Sequence, residues 1–140
     1  MQKERDAGRT RLLGVSNISL EHLQQMEAAR IELPTFVQNR CFARDGWDRE
    51  VRAFCDERRI VYQGFSLLTA NRAVWESASI AEVAAELNAT PAQIVFSFAR
   101  AIGILPMTGS SSAEHMKHDL ESLRINLPAE ITRAIESMGS

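Results

Sequence analysis

The stretch "GILPMTGSSSAEHMKHDLESL", residues 103–123, sets a glycine and three serines between a short apolar run and a helical pattern. A glycine such as Gly109 lets the backbone approach a ligand closely, and Ser110, Ser111 and Ser112 offer hydroxyl and amide donors. The start of the following helix adds a partial positive charge, so the turn suits a phosphate. It equally suits a plain helix cap by Ser111 or Ser112, because Ser111-Ser112-Ala113-Glu114 is itself a capping box; both roles can hold at once. His115, His118 and Asp119 share one helical turn, and two histidines three apart beside an acid read as helix-surface residues rather than as metal ligands.

Three more strand ends carry polar or small groups: Ser16 and Asn17, Gln38 and Asn39, then Phe65 and Ser66. In parallel α/β folds ligands meet the C-terminal ends of the strands, so four such ends on one rim point to a binding surface. Ordinary turn chemistry favours the same residues. Groups for proton transfer are scarce. Tyr62 is the only tyrosine and lies within a strand, and Lys3 and Lys117 are the only lysines. These groups assemble no acid–base pair, and no catalytic residue is assigned.

The elements that position these groups alternate. "RLLGVSN" (11–17), "LPTFVQN" (33–39), "IVYQGFSLL" (60–68) and "GILPMT" (103–108) read as buried strands. Between them run helical patterns: Leu20, Leu23 and Met26 after the cap Ser19; Trp47, Val51, Phe54 and Cys55 with Asp48 in the first turn; and Ile80, Val83, Ala84 and Leu87 after a capping box Ser79–Glu82. Thr90-Pro91-Ala92-Gln93 is the clearest helix start, with Ile94, Val95 and Phe98 turned inward. Met116, Leu120 and Leu123 form the next apolar stripe, and Ile131, Ile135 and Met138 the last, opened by Pro128. Strands alternating with helices predict βαβ units and a parallel sheet, hence an α/β fold in one domain, residues 1–140.

Composition narrows the class of partner. A net charge of −2 across 140 residues lacks the electrostatic footprint of a nucleic-acid binder, and "CDERRI" reads as a solvated helix end. No apolar run approaches the roughly 20 residues of a membrane span, and the charged N-terminus is no secretory signal. Cys41 and Cys55 match no zinc or redox spacing and read as reduced thiols of a cytoplasmic protein.

"LLGVSN", "VQN", "YQGFSLL" and "ATPAQIVFSFARAIGILPMTGSSSAEHMKHDLESL" resemble, in order and spacing, the C-terminal half of aldo-keto reductases, from about Gly8 onward. The resemblance implies half of a (β/α)8 TIM barrel, with four parallel strands alternating with helices, in a family that transfers a hydride from NADPH to a carbonyl. By this resemblance Ser16, Asn17 and Gln38 hold the nicotinamide carboxamide, and Phe65 stands where the family usually stacks a tyrosine. Ser66 and Leu68 line the pyrophosphate; Gly109, Ser110, Ser111, His115 and Asp119 fall in the segment that receives the 2′-phosphate and adenine.

The departures matter. The family often has lysine at Gly109, arginine at His115 and asparagine at Asp119, so NADP(H) is implied while NAD(H) stays open. The family's catalytic aspartate, tyrosine, lysine and histidine belong to the other half of the barrel. The resemblance therefore implies a truncated reductase that keeps the nucleotide side without turnover alone; a non-catalytic dimerising scaffold is the alternative. A half barrel would leave one face and two sheet edges open, which predicts a homodimer or a complementary N-terminal half as partner.

Overall fold

The computed structural model describes residues 1–138; residues 139 and 140 of the predicted unit lie outside them. A short helix, α1 (Gln2–Asp6), precedes β1 (Gly14–Ser16), α2 (Leu20–Ala28), β2 (Phe36–Arg40), α3 (Arg49–Glu57) and β3 (Val61–Phe65). A longer connection holds α4 (Arg72–Trp75), α5 (Ala78–Glu86) and α6 (Pro91–Ala101) before β4 (Leu105–Pro106), α7 (Ala113–Glu121) and α8 (Ala129–Ser137). The four strands pair in parallel in the order β1-β2-β3-β4. This is the half (β/α)8 barrel that the strand–helix alternation and the family resemblance together imply.

The strands are shorter than their apolar runs suggest, because ladder pairing stops where the chain must turn toward a helix. Asn17 and Ser66 leave β1 and β3 with φ of 53° and 58°, the left-handed region that ends an extended run. Burial alternates within the strands. In β3, Tyr62 and Gly64 are buried while Val61 is exposed and Gln63 and Phe65 are half-buried. One face of the sheet is therefore sealed under helices, and the other is open.

The sealed side carries the core: Val37, Trp47, Phe54, Tyr62, Ile94, Phe98, Ile104 and Ile135. The edge of Trp47 packs against Phe98 at 4.8 Å between ring centres. Helix α6 is buried on every side from Gln93 to Ala99, and its Thr90–Gln93 capping box forms as predicted. Gly64 is required by packing, since a Cβ there would lie 2.7 Å from Ile104 Cγ2.

Several local expectations need correction. Ser77, not Ser79, caps α5, accepting from the Ile80 amide. Asp48 precedes α3 in a left-handed conformation rather than sitting in its first turn, and its carboxylate turns toward β2 and β3. Arg58 in "CDERRI" is not merely solvated; it donates to both oxygens of Glu27 on α2 and lies 3.7 Å from the Phe54 ring centre. The stripe Met116, Leu120 and Leu123 is 47%, 66% and 58% exposed. With Leu105 it lines an open groove of about 480 Å³ beside the free β4 edge, because no described element covers it.

Candidate nucleotide site at the strand ends

Sheet register decides which predicted residues meet. Ser16, Gln38 and Gln63 pair in one row across β1, β2 and β3. Gln38 Nε2 donates to Gln63 Oε1 at 3.0 Å. Sequence reasoning singled out Ser16 and Gln38 but missed Gln63, whose period-two offset from Phe65 was the available signal.

A polar lattice holds the β1 and β2 exits. The Asn17 amide donates to the Gln38 carbonyl at 3.0 Å. Asn39 accepts from the Ile18 amide at 3.0 Å and donates to the Ile18 carbonyl at 2.8 Å, copying a backbone pairing where the ladder has ended. Its amide also donates to Asp48 at 2.8 Å, and the Tyr62 hydroxyl donates to the same carboxylate oxygen at 2.7 Å. Burial, with the negative field of its neighbours, pushes the Tyr62 hydroxyl far above its usual range. The one tyrosine is thus a structural donor on the sealed face, not a proton donor at the rim.

Phe65 ends β3 at the rim. Arg40 pairs with it across the ladder and holds its guanidinium 5.7 Å from the ring centre, a cation at the platform that sequence reasoning did not mark. After Ser66 the chain is pinned by buried Asn71, which accepts from the Ala43 amide and donates to the Cys41 and Leu67 carbonyls. The Leu68 carbonyl accepts from Trp75 Nε1 at 3.0 Å. Phe65, Ser66, Leu68, Met107, Thr108 and Gly109 line a cleft of about 400 Å³, which brings two distant predicted segments together.

The serine-rich turn forms the helix cap. Ser112, rather than Ser111, caps α7, accepting from the His115 amide at 3.3 Å. Ser110 Oγ accepts from the Ser112 amide at 3.0 Å, and Thr108 donates to Asp119 at 2.9 Å, tying β4 to α7. Ser111 and His115 are exposed, and a Cβ at Gly109 would meet nothing within 4 Å. The fold itself does not demand glycine here. The described residues include no cluster able to hold a metal ion, and no helix among them is long and apolar enough to cross a membrane.

The rim thus carries amide and hydroxyl groups at one end, an aromatic ring between, and at the other a cleft beside the segment that caps α7. Burial pushes the Cys41 thiol up to about 12 and the Cys55 thiol to about 11, so neither supplies a nucleophile.

No family model matches the chain. It is 28% identical over 140 residues to the methylglyoxal reductase DkgB of Escherichia coli O157:H7, covering 94% of this chain and 49% of that protein. It is 26% identical to an Arabidopsis thaliana protein, aldo-keto reductase family 4 member C11, over 90% of this chain and 42% of that one. Its fold matches apo Gox0644 with a TM-score of 0.88 at 26% identity, covering 99% of this chain and 51% of that one. A mutant of that protein in complex with NADPH matches with a TM-score of 0.87, also at 26% identity, over 98% of this chain and 50% of the other. The chain spans about half the length of the curated relatives it matches.

Proposed function

For a chain that is half of an aldo-keto-reductase-like barrel, we propose a unit of 140 residues that binds a nicotinamide nucleotide along its strand ends and does not turn over a carbonyl by itself. The observation that carries this reading is the cleft joining Phe65–Leu68 to Thr108–Gly109, at the same end of the parallel sheet as Ser16. NADPH in the Gox0644 mutant complex supports NADP(H) as the ligand class. When bound, the nucleotide supplies hydride chemistry.

Ser16, Asn17 and Gln38 would hold the carboxamide, and Phe65 the ring. Ser66 and Leu68 would hold the pyrophosphate, and the Gly109–Ser111 turn with His115 and Asp119 the adenosine end. Within these residues nothing donates a proton to a carbonyl: Tyr62 is locked to Asp48 and the thiols are buried. A complementary N-terminal half would have to bring that donor. The two unpaired cysteines fit a cytoplasmic setting.

A second reading, a dimerising scaffold, is favoured by one observation. Leu105, Leu120 and Leu123 flank the free β4 edge, and Leu12 and Ile31 lie exposed before and after the β1–α2 unit. Two copies related by a twofold along the barrel axis would set four strands beside four, all parallel, and cover both flanks.

Calorimetric titration with NADPH and NADH tests the first reading. Micromolar binding, lost in Gly109→Leu and weakened in Gln38→Ala, is the expected result. Absence of heat with both nucleotides would reduce the turn to a helix cap. Sedimentation of the same sample tests the second, and a monomer that binds no apolar dye would remove the homodimer.

A further inference from the structure

Two glutamines face each other on the open side of the sheet, where a closed barrel of this type stacks branched apolar side chains. A primary amide has two N–H donors and a carbonyl with two lone pairs. The contact between Gln38 and Gln63 uses one N–H of the first and the carbonyl of the second. Among the described residues no further bond engages Gln38 Oε1 or Gln63 Nε2. Neither atom is sealed from solvent, because Trp47 Nε1 is the one buried unpartnered side-chain atom among them. The pair therefore leaves one carbonyl oxygen and one amide available at the level of Ser16.

That arrangement complements another primary amide. We infer that Gln63 is a positioning and specificity residue for the nicotinamide carboxamide: it fixes the Gln38 amide so that Oε1 accepts from the ligand N–H, while its own Nε2 donates to the ligand carbonyl. The inference rests on the nucleotide-binding reading above. Without Gln63 the Gln38 amide is free to turn about its last torsion, and donor and acceptor lose their assigned places. A carboxylate in place of the carboxamide offers no N–H to Gln38 Oε1 and sets oxygen against oxygen.

The test is calorimetric titration of the whole chain and of Gln63→Leu and Gln63→Glu with three probes. These are NADP+, its nicotinic acid analogue, and 2′,5′-ADP, which lacks the nicotinamide. The native chain should prefer NADP+ over the acid analogue by roughly tenfold, the scale of hydrogen bonds to a neutral partner. Gln63→Leu should bring that ratio close to one and leave 2′,5′-ADP unchanged. Gln63→Glu keeps the acceptor for Gln38 and should retain part of the preference, so it carries the test if the leucine variant does not fold. Native binding of NADP+ with unaltered preference in both variants would overturn the role of Gln63 alone, as would an equal loss for all three probes. A native chain that binds none of the probes would overturn the nucleotide reading and this inference with it.

Discussion

Replacing Asp48 by alanine removes one carboxylate oxygen on which two buried donors converge, Asn39 Nδ2 at 2.8 Å and the Tyr62 hydroxyl at 2.7 Å. Tyr62 is 2% exposed and Asn39 7%, so water cannot replace the lost acceptor at either. Each orphaned donor costs about 1–3 kcal/mol, and an alanine held left-handed, where Asp48 has φ of 54°, adds about 1 kcal/mol. The expected loss is about 3–7 kcal/mol, or a melting point lower by roughly 10–25 °C. Tyr62→Phe alone should cost about 1–2 kcal/mol, and Asp48→Asn, which keeps an oxygen and tolerates the backbone, about 1 kcal/mol. In the double variant Asp48→Ala with Tyr62→Phe, the orphaned hydroxyl is gone. The combined loss should then fall short of the sum by about 1.5 kcal/mol or more. Urea unfolding followed by the fluorescence of Trp47 and Trp75 reads all four variants. Strict additivity, within about 0.5 kcal/mol, would refute the shared-acceptor account. Nucleotide affinity in Asp48→Asn should change little, because the Asn39 bonds to Ile18 that hold the β1 exit survive.

Other expected outcomes follow from the same contacts. Gly64→Ala should cost about 1–3 kcal/mol by urea titration, since its Cβ would stand 2.7 Å from Ile104 Cγ2, an atom of a core side chain with no room to retreat. Burial raises Cys41 from 9.0 to about 12 and Cys55 from 9.0 to about 11, so the folded chain keeps protons that the unfolded chain releases. Their contribution to stability is intact below pH 9.0 and falls as pH rises toward 11–12, a decline that Cys41→Ala/Cys55→Ala should flatten in alkaline urea titrations. His115→Arg places a guanidinium in the exposed first turn of α7 and should raise the NADPH-to-NADH affinity ratio roughly tenfold, read by calorimetry.

The sequence carried most of the architecture because each element announced itself by a local rule. Thr90, Pro91 and Gln93 specify a helix start within four residues, and the structure forms that start as written. Ser79 misled, and Ser111 and Ser112 stayed undecided, because serines at neighbouring positions satisfy the same pattern. Only the backbone's entry angle decides that Ser77 and Ser112 accept the amide. The lattice around Asp48 was illegible for a different reason. Asn39, Asp48 and Tyr62 lie on three elements, and their meeting depends on a left-handed turn at Trp47 and Asp48 that no periodicity encodes. Gln63 was overlooked because a glutamine inside an apolar strand resembles noise until the register sets it beside Gln38.

The stripe Met116, Leu120 and Leu123 shows where local reasoning reaches its boundary. Its spacing makes an amphipathic helix, and the helix forms, with Ser112 as cap and the Gln93 amide donating to the His118 carbonyl from α6. Yet amphipathicity specifies only that a face needs covering, not what covers it. In this chain the Gln93 side chain of α6 holds α7 by the His118 carbonyl, leaving the leucines exposed beside the free edge of β4. An apolar stripe and an open parallel edge at one place make the same demand, a further parallel strand with its helix. Ser16, Gln38 and Gln63 are set by pairings inside the sheet, and the cleft is lined by the end of β3, the Ser66–Thr69 and Met107–Gly109 segments and Phe96 of α6. The half barrel thus holds the groups of the proposed nucleotide site by its own contacts while its flanks stay uncovered, so the two proposals, ligand binding and assembly, can be tested separately.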